Sequence, residues 1–310
     1  MDPRRDAVTG AFGFTGRAIA GQLLTAGRDV ATLTRRLRPS DPLASRIVSV
    51  ELDFARPDLL VQALDGVGTL FNTYWVRFPR GDESFDRAIA ASTVLIRAAR
   101  EAGVRRLVHV SVVGAEPSGP TPYVRAKGRL EGIVRSSGLD WSIVRPMLTY
   151  GPNDILVNNL AWALRRLPIY GMPGDGRYPI QPVHVDDVAR ICIEAADEPA
   201  GAVVDAAGPE TFEYREMVDI VRAAVRSRSI VLPMPSTLVL IAGRLLGLVV
   251  RDVVLTADEI RELTSGWLAS REPSRGRIRF SEWVPANAAH LGRRWSSELA
   301  RNFSGPTRQP

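Results

Sequence analysis

The chain is poor in cysteine, histidine and lysine. A single cysteine, Cys192, occurs in 310 residues, which excludes an intrachain disulfide bond. The three histidines, His109, His184 and His290, lie far apart and offer no spacing that would bind zinc. We therefore expect neither a disulfide framework nor a metal site.

The chain also lacks a clustered run of positive charge. Its formal charge is +6 and its pI about 10.0, yet the arginines are spread along the sequence. The longest adjacent runs are pairs, such as Arg35-Arg36 and Arg165-Arg166. A nucleic-acid surface would be a concentrated basic face or stripe. The pattern indicates an arginine-rich composition with a few sites for anionic ligands, and no nucleic-acid partner.

One apolar run, Ser236–Val250, stands out, and Arg244 interrupts it. It is shorter than the roughly 20 residues that a membrane-spanning helix needs. It predicts a buried or half-buried helix, and contact with a membrane surface or an apolar partner is the alternative. Residues 1–6 lack the apolar segment of a signal peptide, so we expect a cytoplasmic location.

A single lysine, Lys127, stands among 40 basic residues and follows Tyr123 by four positions. Arginine is always charged, whereas lysine is a compact ammonium whose pKa can be shifted. A site that keeps lysine in this background is expected to need the ammonium itself. The alternative is an exposed helical lysine with an ordinary surface contact.

The first 200 residues alternate strand-like and helix-like segments, which predicts a parallel sheet covered by helices on both faces. The predicted strands are residues 7–9, 30–34, 47–52, 69–73, 107–113, 141–144 and 202–206. The predicted helices are residues 15–26, 85–102, 123–136, 154–166 and 186–196. Residues 167–182 are rich in glycine and proline and predict a loop, and the chain after Pro209 is predicted to be mainly helical.

Three glycines, Gly10, Gly13 and Gly16, follow the first predicted strand and open the first helix, with Phe12 and Phe14 between them. Such glycines allow a tight turn, close approach of the backbone to a pyrophosphate, and packing of the helix on the strand. The helix N-terminus offers free N–H groups to the phosphates. The strand–turn–helix context favours a dinucleotide site over a purely structural turn.

The end of the second strand bears on the choice of nicotinamide cofactor. It carries Arg35 and Arg36 and has no carboxylate until Asp41, which favours the 2′-phosphate of NADP. NAD remains possible, since these arginines could reflect the bias of the whole chain. Asp53 after the third strand is placed to bond the adenine amino group, or else caps a helix before Pro57.

With these motifs, the chain resembles the extended or atypical branch of the short-chain dehydrogenase/reductase superfamily. That branch includes NAD(P)-dependent epimerase/dehydratase-type proteins, the NmrA-like group and relatives of a complex I accessory subunit. The resemblance covers about residues 6–210. The matching segments are the glycine loop, Leu52-Asp53, His109-Val-Ser111, Tyr123-Val-Arg-Ala-Lys127, Arg145-Pro146, Tyr150-Gly-Pro152 and residues 181–189.

The resemblance implies a Rossmann-type doubly wound parallel sheet with a smaller, mainly helical C-terminal substrate lobe. We assign residues 1–150 and 183–206 to the sheet domain, and residues 151–182 and 207–310 to the lobe. The resemblance further implies that Tyr123 is the proton donor or acceptor. It also implies that Lys127 bonds the nicotinamide ribose and favours the ionised form of Tyr123. Ser111 is implied as a further catalytic residue, and the residues implied to line the cofactor cleft are Asn72, Thr73, Ser111 and Pro146.

One position departs from the family pattern. A serine or threonine that polarises the substrate carbonyl usually follows two residues after the position of Ser111, but here that residue is Val113. Thr121, Ser118 or Tyr74 are possible substitutes. Two functions stay open: an NADP(H)-dependent oxidoreductase or epimerase acting on a small carbonyl or hydroxyl compound, and a redox-sensing or assembly protein with little turnover. Related proteins of this kind are often homodimers.

Overall fold

The computed structural model describes residues 5–303, with side chains through residue 301. The chain divides into two compact units. The first comprises the residues through Pro146 together with Val185–Ala206, and the second comprises Met147–His184 together with the residues from Ala207 onward.

The strands of the described residues, in chain order, are β1 Arg5–Thr9, β2 Val30–Thr34, β3 Val48–Glu51, β4 Val67–Asn72, β5 Arg106–Val110, β6 Asp140–Pro146, β7 Thr149–Tyr150, β8 Ile169–Pro173, β9 Pro179–Ile180, β10 Val183–His184, β11 Ala202–Ala206, β12 Phe212–Glu213 and β13 Ile230–Met234. The α-helices are α1 Phe14–Thr25, α2 Pro57–Leu64, α3 Phe85–Glu101, α4 Pro122–Arg135, α5 Leu156–Arg166, α6 Val185–Ala195, α7 Tyr214–Ala224, α8 Ser236–Val250, α9 Ala257–Leu263 and α10 Phe280–Asn287. A short π-helix follows at Leu299–Phe303.

The first unit is built on a seven-stranded sheet in the order β11-β6-β5-β4-β1-β2-β3, in which every neighbouring pair is parallel. β2 and β4 are buried along their whole length, as expected of central strands covered on both faces. Around the sheet, α1 packs against α6, and α3 packs against both α2 and α4. The doubly wound parallel sheet predicted from the sequence is confirmed.

Strand order fixes where chemistry can take place in this unit. The chain leaves β1 toward β2 and β3 and then returns to place β4 on the other side of β1. Open parallel sheets bind ligands at such a reversal, outside the carboxyl ends of the strands. The residues that follow β1, β2, β4 and β5 therefore form the candidate site.

The second unit has its own core, around the buried rings of Tyr150, Tyr214 and Phe280. Here the predicted loop at residues 167–182 is wrong, because β8 pairs in parallel with β13 and β9 pairs with β12. β8 contains glycine and ends at Pro173, so its composition resembles a loop. Its partner strand, β13, lies about 60 residues further along the chain, and no local sequence pattern predicts that pairing.

The apolar run Ser236–Val250 is one helix, as predicted, and it is half-buried, with one side against the protein and the other exposed. Val239 is its only fully buried residue, and Leu245, Leu248 and Val249 are exposed. The covered side of α8 includes Gly243 and Gly247, which lie close to residues 252–255. Within the described residues, no helix is both long enough and apolar enough to cross a membrane.

Candidate active site

The glycine loop joins β1 to α1. Gly10 has a φ of +67°, a left-handed conformation that glycine adopts without strain, and its carbonyl accepts a 2.8 Å hydrogen bond from the Gly13 N–H. Gly16 faces the same backbone from the first turn of α1. A Cβ at Gly16 would lie 2.4 Å from the Gly10 oxygen. Only glycine at this position lets the helix approach the loop so closely.

The start of α1 is suited to a phosphate. Gly13 occupies the N-cap position, no described side chain caps the helix there, and the first turn has no acidic residue. Its N–H groups and the positive end of the helix dipole are therefore available to an anion. Phe12 is buried beside this turn and Phe14 is the first helical residue. The residues present fit the pyrophosphate of a dinucleotide.

Asn72 and Thr73 hold the ends of β1 and β4 together. The Thr73 hydroxyl donates to the Thr9 carbonyl at 2.6 Å, and the Thr73 N–H donates to the Thr9 hydroxyl at 2.7 Å. The Asn72 side-chain oxygen accepts from the Thr9 hydroxyl and from the Tyr74 N–H. The Thr73 hydroxyl also lies 3.8 Å from the position that a Cβ would take at Gly10. This hydrogen-bond network therefore packs against the glycine loop.

The two arginines after β2 differ in their surroundings. Arg35 forms an ion pair with Glu83 and lies 5.6 Å from the centre of the Tyr74 ring. The pKa of Arg36 is lowered by partial burial and by the like charges of Arg35 and Arg38. The neighbouring charges of Arg36 are thus positive, a setting that an added negative charge would stabilise, and Arg35 is paired with Glu83.

Asp53 forms local hydrogen bonds before α2. Its carboxylate accepts from the Ala55 N–H at 2.9 Å and from the Arg56 side chain at 2.8 Å, and these bonds lower its pKa. This is the helix-entry role that the sequence left open, although Arg56 itself occupies the N-cap position and Pro57 is the first helical residue. An adenine contact by Asp53 stays a prediction.

Lys127 is one of the most buried charged residues of the first unit. Thr121 is the N-cap of α4, its hydroxyl accepts from the Val124 N–H, and Pro122 fits the first helical position. Lys127 lies on this helix with 3% exposure. Its Nζ donates to the Val110 carbonyl at 3.0 Å and lies 4.4 Å from the centre of the Trp75 ring. The alternative of an exposed surface lysine is wrong.

Tyr123 lies one turn before Lys127 on α4 and joins a cluster of aromatic rings. Its ring meets Trp75 edge-on at 6.2 Å and Phe85 edge-on at 5.8 Å, while Trp75 and Phe85 stack at 6.0 Å. Residues four apart on a helix share a face. Trp75 therefore contacts both members of the pair and fixes them at the carboxyl edge of the sheet.

Burial controls the charge of Lys127. It lowers the pKa of Lys127 from 10.5 to about 7, and the charge of Glu131 acts in the opposite direction. Glu131 is itself buried and accepts two hydrogen bonds from Arg145, the shorter at 2.6 Å. Burial, followed by the charge of Lys127, holds the pKa of His109 well below its ordinary value. Lys127 thus changes charge near neutral pH beside a neutral His109.

Three buried polar atoms near the ends of β4 and β5 have no hydrogen-bond partner among the described residues: Ser111 Oγ, His109 Nε2 and Trp75 Nε1. Buried polar groups normally find partners, so this group fits a site completed by a polar ligand. Ser111 is held by its N–H, which donates to the Val144 carbonyl at 2.8 Å.

Val113 lies in the position where the family carries a hydroxyl. It is buried, and its N–H donates to the carbonyl of Pro146 at 3.2 Å. Through this hydrogen bond to Val113, the predicted cleft residue Pro146 is connected to the candidate site. Of the proposed substitutes, Thr121 caps α4, Ser118 is exposed, and Tyr74 is partly buried with its pKa raised by burial. Ser111 is therefore the hydroxyl best placed to contact a ligand.

Sequence reasoning missed four residues of the site: Trp75, Glu83, Phe85 and Glu131. Trp75 could have been suspected, since it follows the end of β4 by three positions, close to Asn72 and Thr73. Glu131 is also visible in principle, four residues after Lys127 on the same helix face. Glu83 reaches Arg35 from a distant loop, and nothing in the local sequence predicts that pairing.

A family model described as NAD(P)H-binding matches residues 10–199. The chain belongs to this NAD(P)H-binding family. It is 31% identical over 215 residues to (4-alkanoyl-5-oxo-2,5-dihydrofuran-3-yl)methyl phosphate reductase of Streptomyces griseus, a match covering 67% of this chain and 70% of that protein. It is 26% identical over 286 residues to NADH dehydrogenase [ubiquinone] 1 alpha subcomplex subunit 9 of Arabidopsis thaliana, covering 85% of this chain and 70% of that subunit.

Solved structures share the fold of this NAD(P)H-binding chain. An NADPH-dependent quinone oxidoreductase of Escherichia coli complexed with NADPH superposes with a TM-score of 0.75 at 18% identity, covering 91% of this chain and 99% of that one. A UDP-glucose 4-epimerase of Thermus thermophilus in complex with NAD gives 0.67 at 22% identity, covering 92% and 98%. The predicted resemblance to the dehydrogenase/reductase superfamily and the Rossmann-type fold are confirmed.

Proposed function

We propose that this protein is an NADPH-dependent reductase acting on a small carbonyl compound, with Tyr123 as proton donor and Lys127 as its electrostatic partner. The observation that carries the proposal is the packing of both side chains against Trp75 at the carboxyl edge of the sheet. A lysine that served only as a surface charge would not be buried there with a pKa near neutrality.

The residues that would hold the cofactor follow from their surroundings. The glycine loop and the start of α1 would receive the pyrophosphate, Arg36 the 2′-phosphate, and Lys127 the nicotinamide ribose. NADPH would supply the hydride, a chemistry that belongs to the cofactor and not to the side chains. NADP is favoured over NAD because Arg36 stands among like charges at the end of β2.

The side chains manage the proton and the surrounding water. Tyr123 would give its phenolic proton to the substrate oxygen as the carbonyl is reduced. A charged Lys127 nearby would lower the pKa of the phenol and make this transfer possible at neutral pH. Ser111 would donate a hydrogen bond to the same oxygen, in place of the hydroxyl that Val113 lacks. Trp75 and Phe85 would exclude water, which strengthens these interactions.

A reductase is also favoured by the Streptomyces griseus relative, whose name identifies it as a reductase of an unsaturated lactone phosphate. A quinone or another hydrophobic carbonyl compound and a nucleotide sugar are both compatible with the residues of the site. We therefore propose the reaction class without a named substrate.

Val113 and the relatives among complex I subunits favour a second function. A buried valine cannot donate a hydrogen bond, and the loss of one such donor typically lowers the rate by about 100-fold or more. A protein with this site could bind NAD(P)H and sense redox state or support an assembly with little turnover. Proteins similar to this chain include subunit 9 of the alpha subcomplex of NADH dehydrogenase.

The test is oxidation of NADPH in the presence of a panel of aldehydes, quinones and enones, with Tyr123→Phe as the variant. The reductase predicts turnover with at least one compound and loss of that turnover in the variant, with NADPH affinity retained. Tight binding of NADPH without turnover by the native protein on any compound would favour the second function.

A further inference from the structure

The exposed face of α8 carries a row of apolar side chains. Leu238, Ile241, Ala242, Leu245, Leu248 and Val249 recur at intervals of three and four residues and form one stripe along the helix, called the apolar stripe below. Its leucines, isoleucine and valine are between 51% and 78% exposed. Scattered apolar residues are normal on a surface, but a continuous row marks an interaction site.

The opposite face of α8 fixes this orientation. Gly247 lies so close to the chain that a Cβ there would come within 2.7 Å of the Asp252 carbonyl. Asp252 is buried, and its carboxylate accepts hydrogen bonds from Trp295 Nε1 and from the N–H groups of Glu298 and Leu299. The helix is thus anchored through its glycine side and its following turn. Rotating the apolar stripe inward would break these contacts.

Charge at the edge of the stripe indicates what covers it. Arg244 follows Ile241 by three residues and borders the stripe, and Arg251 is the C-cap residue directly after the helix. Both are exposed, and neither forms an ion pair within residues 5–303. Residues 235–251 contain no aspartate or glutamate, and the whole chain carries a formal charge of +6.

We propose that α8 binds the surface of an anionic lipid bilayer, with the apolar stripe in the acyl region and Arg244 and Arg251 at the phosphates. Long arginine side chains beside an apolar face reach the headgroups in this way. The helix is about 22 Å long, which is less than the hydrocarbon core of about 30 Å. Only one face of the helix is exposed and apolar. Both features suit a helix that lies in the plane of the interface.

A second copy of the chain fits this face less well. In an antiparallel helix pair centred on the stripe, Arg244 near the middle of α8 would approach Arg244 of the other copy. The helix offers no acidic residue to compensate the two like charges. An anionic bilayer satisfies both the apolar stripe and the arginines. This inference is independent of the reductase activity, since none of its residues belongs to the candidate active site.

The experiment is co-sedimentation of the full chain with vesicles of phosphatidylcholine alone and of phosphatidylcholine mixed with phosphatidylglycerol, at low and high salt. We expect binding to the anionic vesicles, weakened by salt. Leu245→Asp with Leu248→Asp should reduce binding by roughly tenfold or more. Arg244→Gln should reduce it by about fivefold. The matched control is Leu59→Asp, an exposed leucine on α2, which should bind as the native protein does.

A second readout is the emission of a tryptophan placed in the stripe, Leu245→Trp, which should shift to shorter wavelength only with anionic vesicles. Thermal unfolding of each variant verifies that it is folded. Two outcomes would overturn the proposal. One is the absence of binding to anionic vesicles by the native chain. The other is a native dimer that the double aspartate variant converts to a monomer while vesicle binding is unchanged.

Discussion

At the scale of single residues, Lys127 is the residue on which the proposed function of the candidate site depends most. It is the chain's one lysine, and it is buried between the Val110 carbonyl and the face of Trp75. Arginine could not replace it there, because a planar guanidinium keeps its charge and needs more space. The burial that lowers its pKa to about 7 also makes the folded state sensitive to pH.

Lys127→Met should remove this sensitivity. Because burial lowers the pKa of Lys127 from 10.5 to about 7, the unfolded chain binds one more proton than the folded chain between these values. The free energy of unfolding of the native protein should therefore rise with pH above 7, by up to about 1.4 kcal/mol per pH unit. The methionine variant should lack this rise.

The measurement is denaturant unfolding of both proteins from neutral pH to pH about 9.5. Parallel curves for the two proteins would contradict a strongly lowered pKa. Lys127→Arg adds a control for charge: it should weaken NADPH binding although the positive charge is kept, and unchanged affinity would show that the ammonium itself is not required.

At the scale of elements, the first turn of α1 decides whether the loop can hold a phosphate. Gly16 and Gly21 lie on the same helix, but only Gly16 faces the loop backbone. The sequence predicted this loop well, because strand, glycines and helix follow one another within a few residues. A motif formed by neighbouring residues can be predicted from the sequence without knowledge of distant contacts.

Gly16→Ala should destabilise the protein by about 1–3 kcal/mol and weaken NADPH binding, because the new Cβ would collide with Gly10. Gly21→Ala meets no atom within 4 Å and should be neutral or stabilising by up to about 1 kcal/mol. Thermal unfolding and a binding titration of the two variants give the comparison. Equal behaviour of the two would mean that the close approach at Gly16 has no consequence.

Elements that depend on distant partners were harder to predict. β8 was expected to be loop because its partner, β13, comes about 60 residues later. α8 was recognised as a helix, but its continuous apolar run did not show which side of the helix would face the protein. Trp75 was missed because its importance comes from α4, which is brought to it only by the fold.

At the scale of the whole molecule, a bound dinucleotide should stabilise the folded chain by mass action. NADPH at about 100 times its dissociation constant should raise the free energy of unfolding by about 2.7 kcal/mol. At equal concentration NADH should have a smaller effect, because it lacks the phosphate that Arg36 is proposed to bind.

Two variants sharpen this comparison. Arg36→Ser should reduce the stabilisation by NADPH to the level of NADH. Glu83→Gln should strengthen NADPH binding, because it releases Arg35 from its ion pair. Thermal shift measurements on the three proteins with both cofactors give the answer. Equal stabilisation of the native protein by NADH and NADPH would contradict the proposal that these arginines bind the 2′-phosphate of NADPH.

The central claim is that the Tyr123–Lys127 pair completes a reductase, and the most direct test follows the hydride itself. The native protein and Tyr123→Phe are incubated with NADPH deuterated at the transferred position and with the carbonyl panel, and products are analysed by mass spectrometry. We predict deuterium in at least one alcohol or saturated product, reduced by about 100-fold or more in the variant. Bound NADPH with no deuterium in any product, or equal labelling by both proteins, would contradict the account.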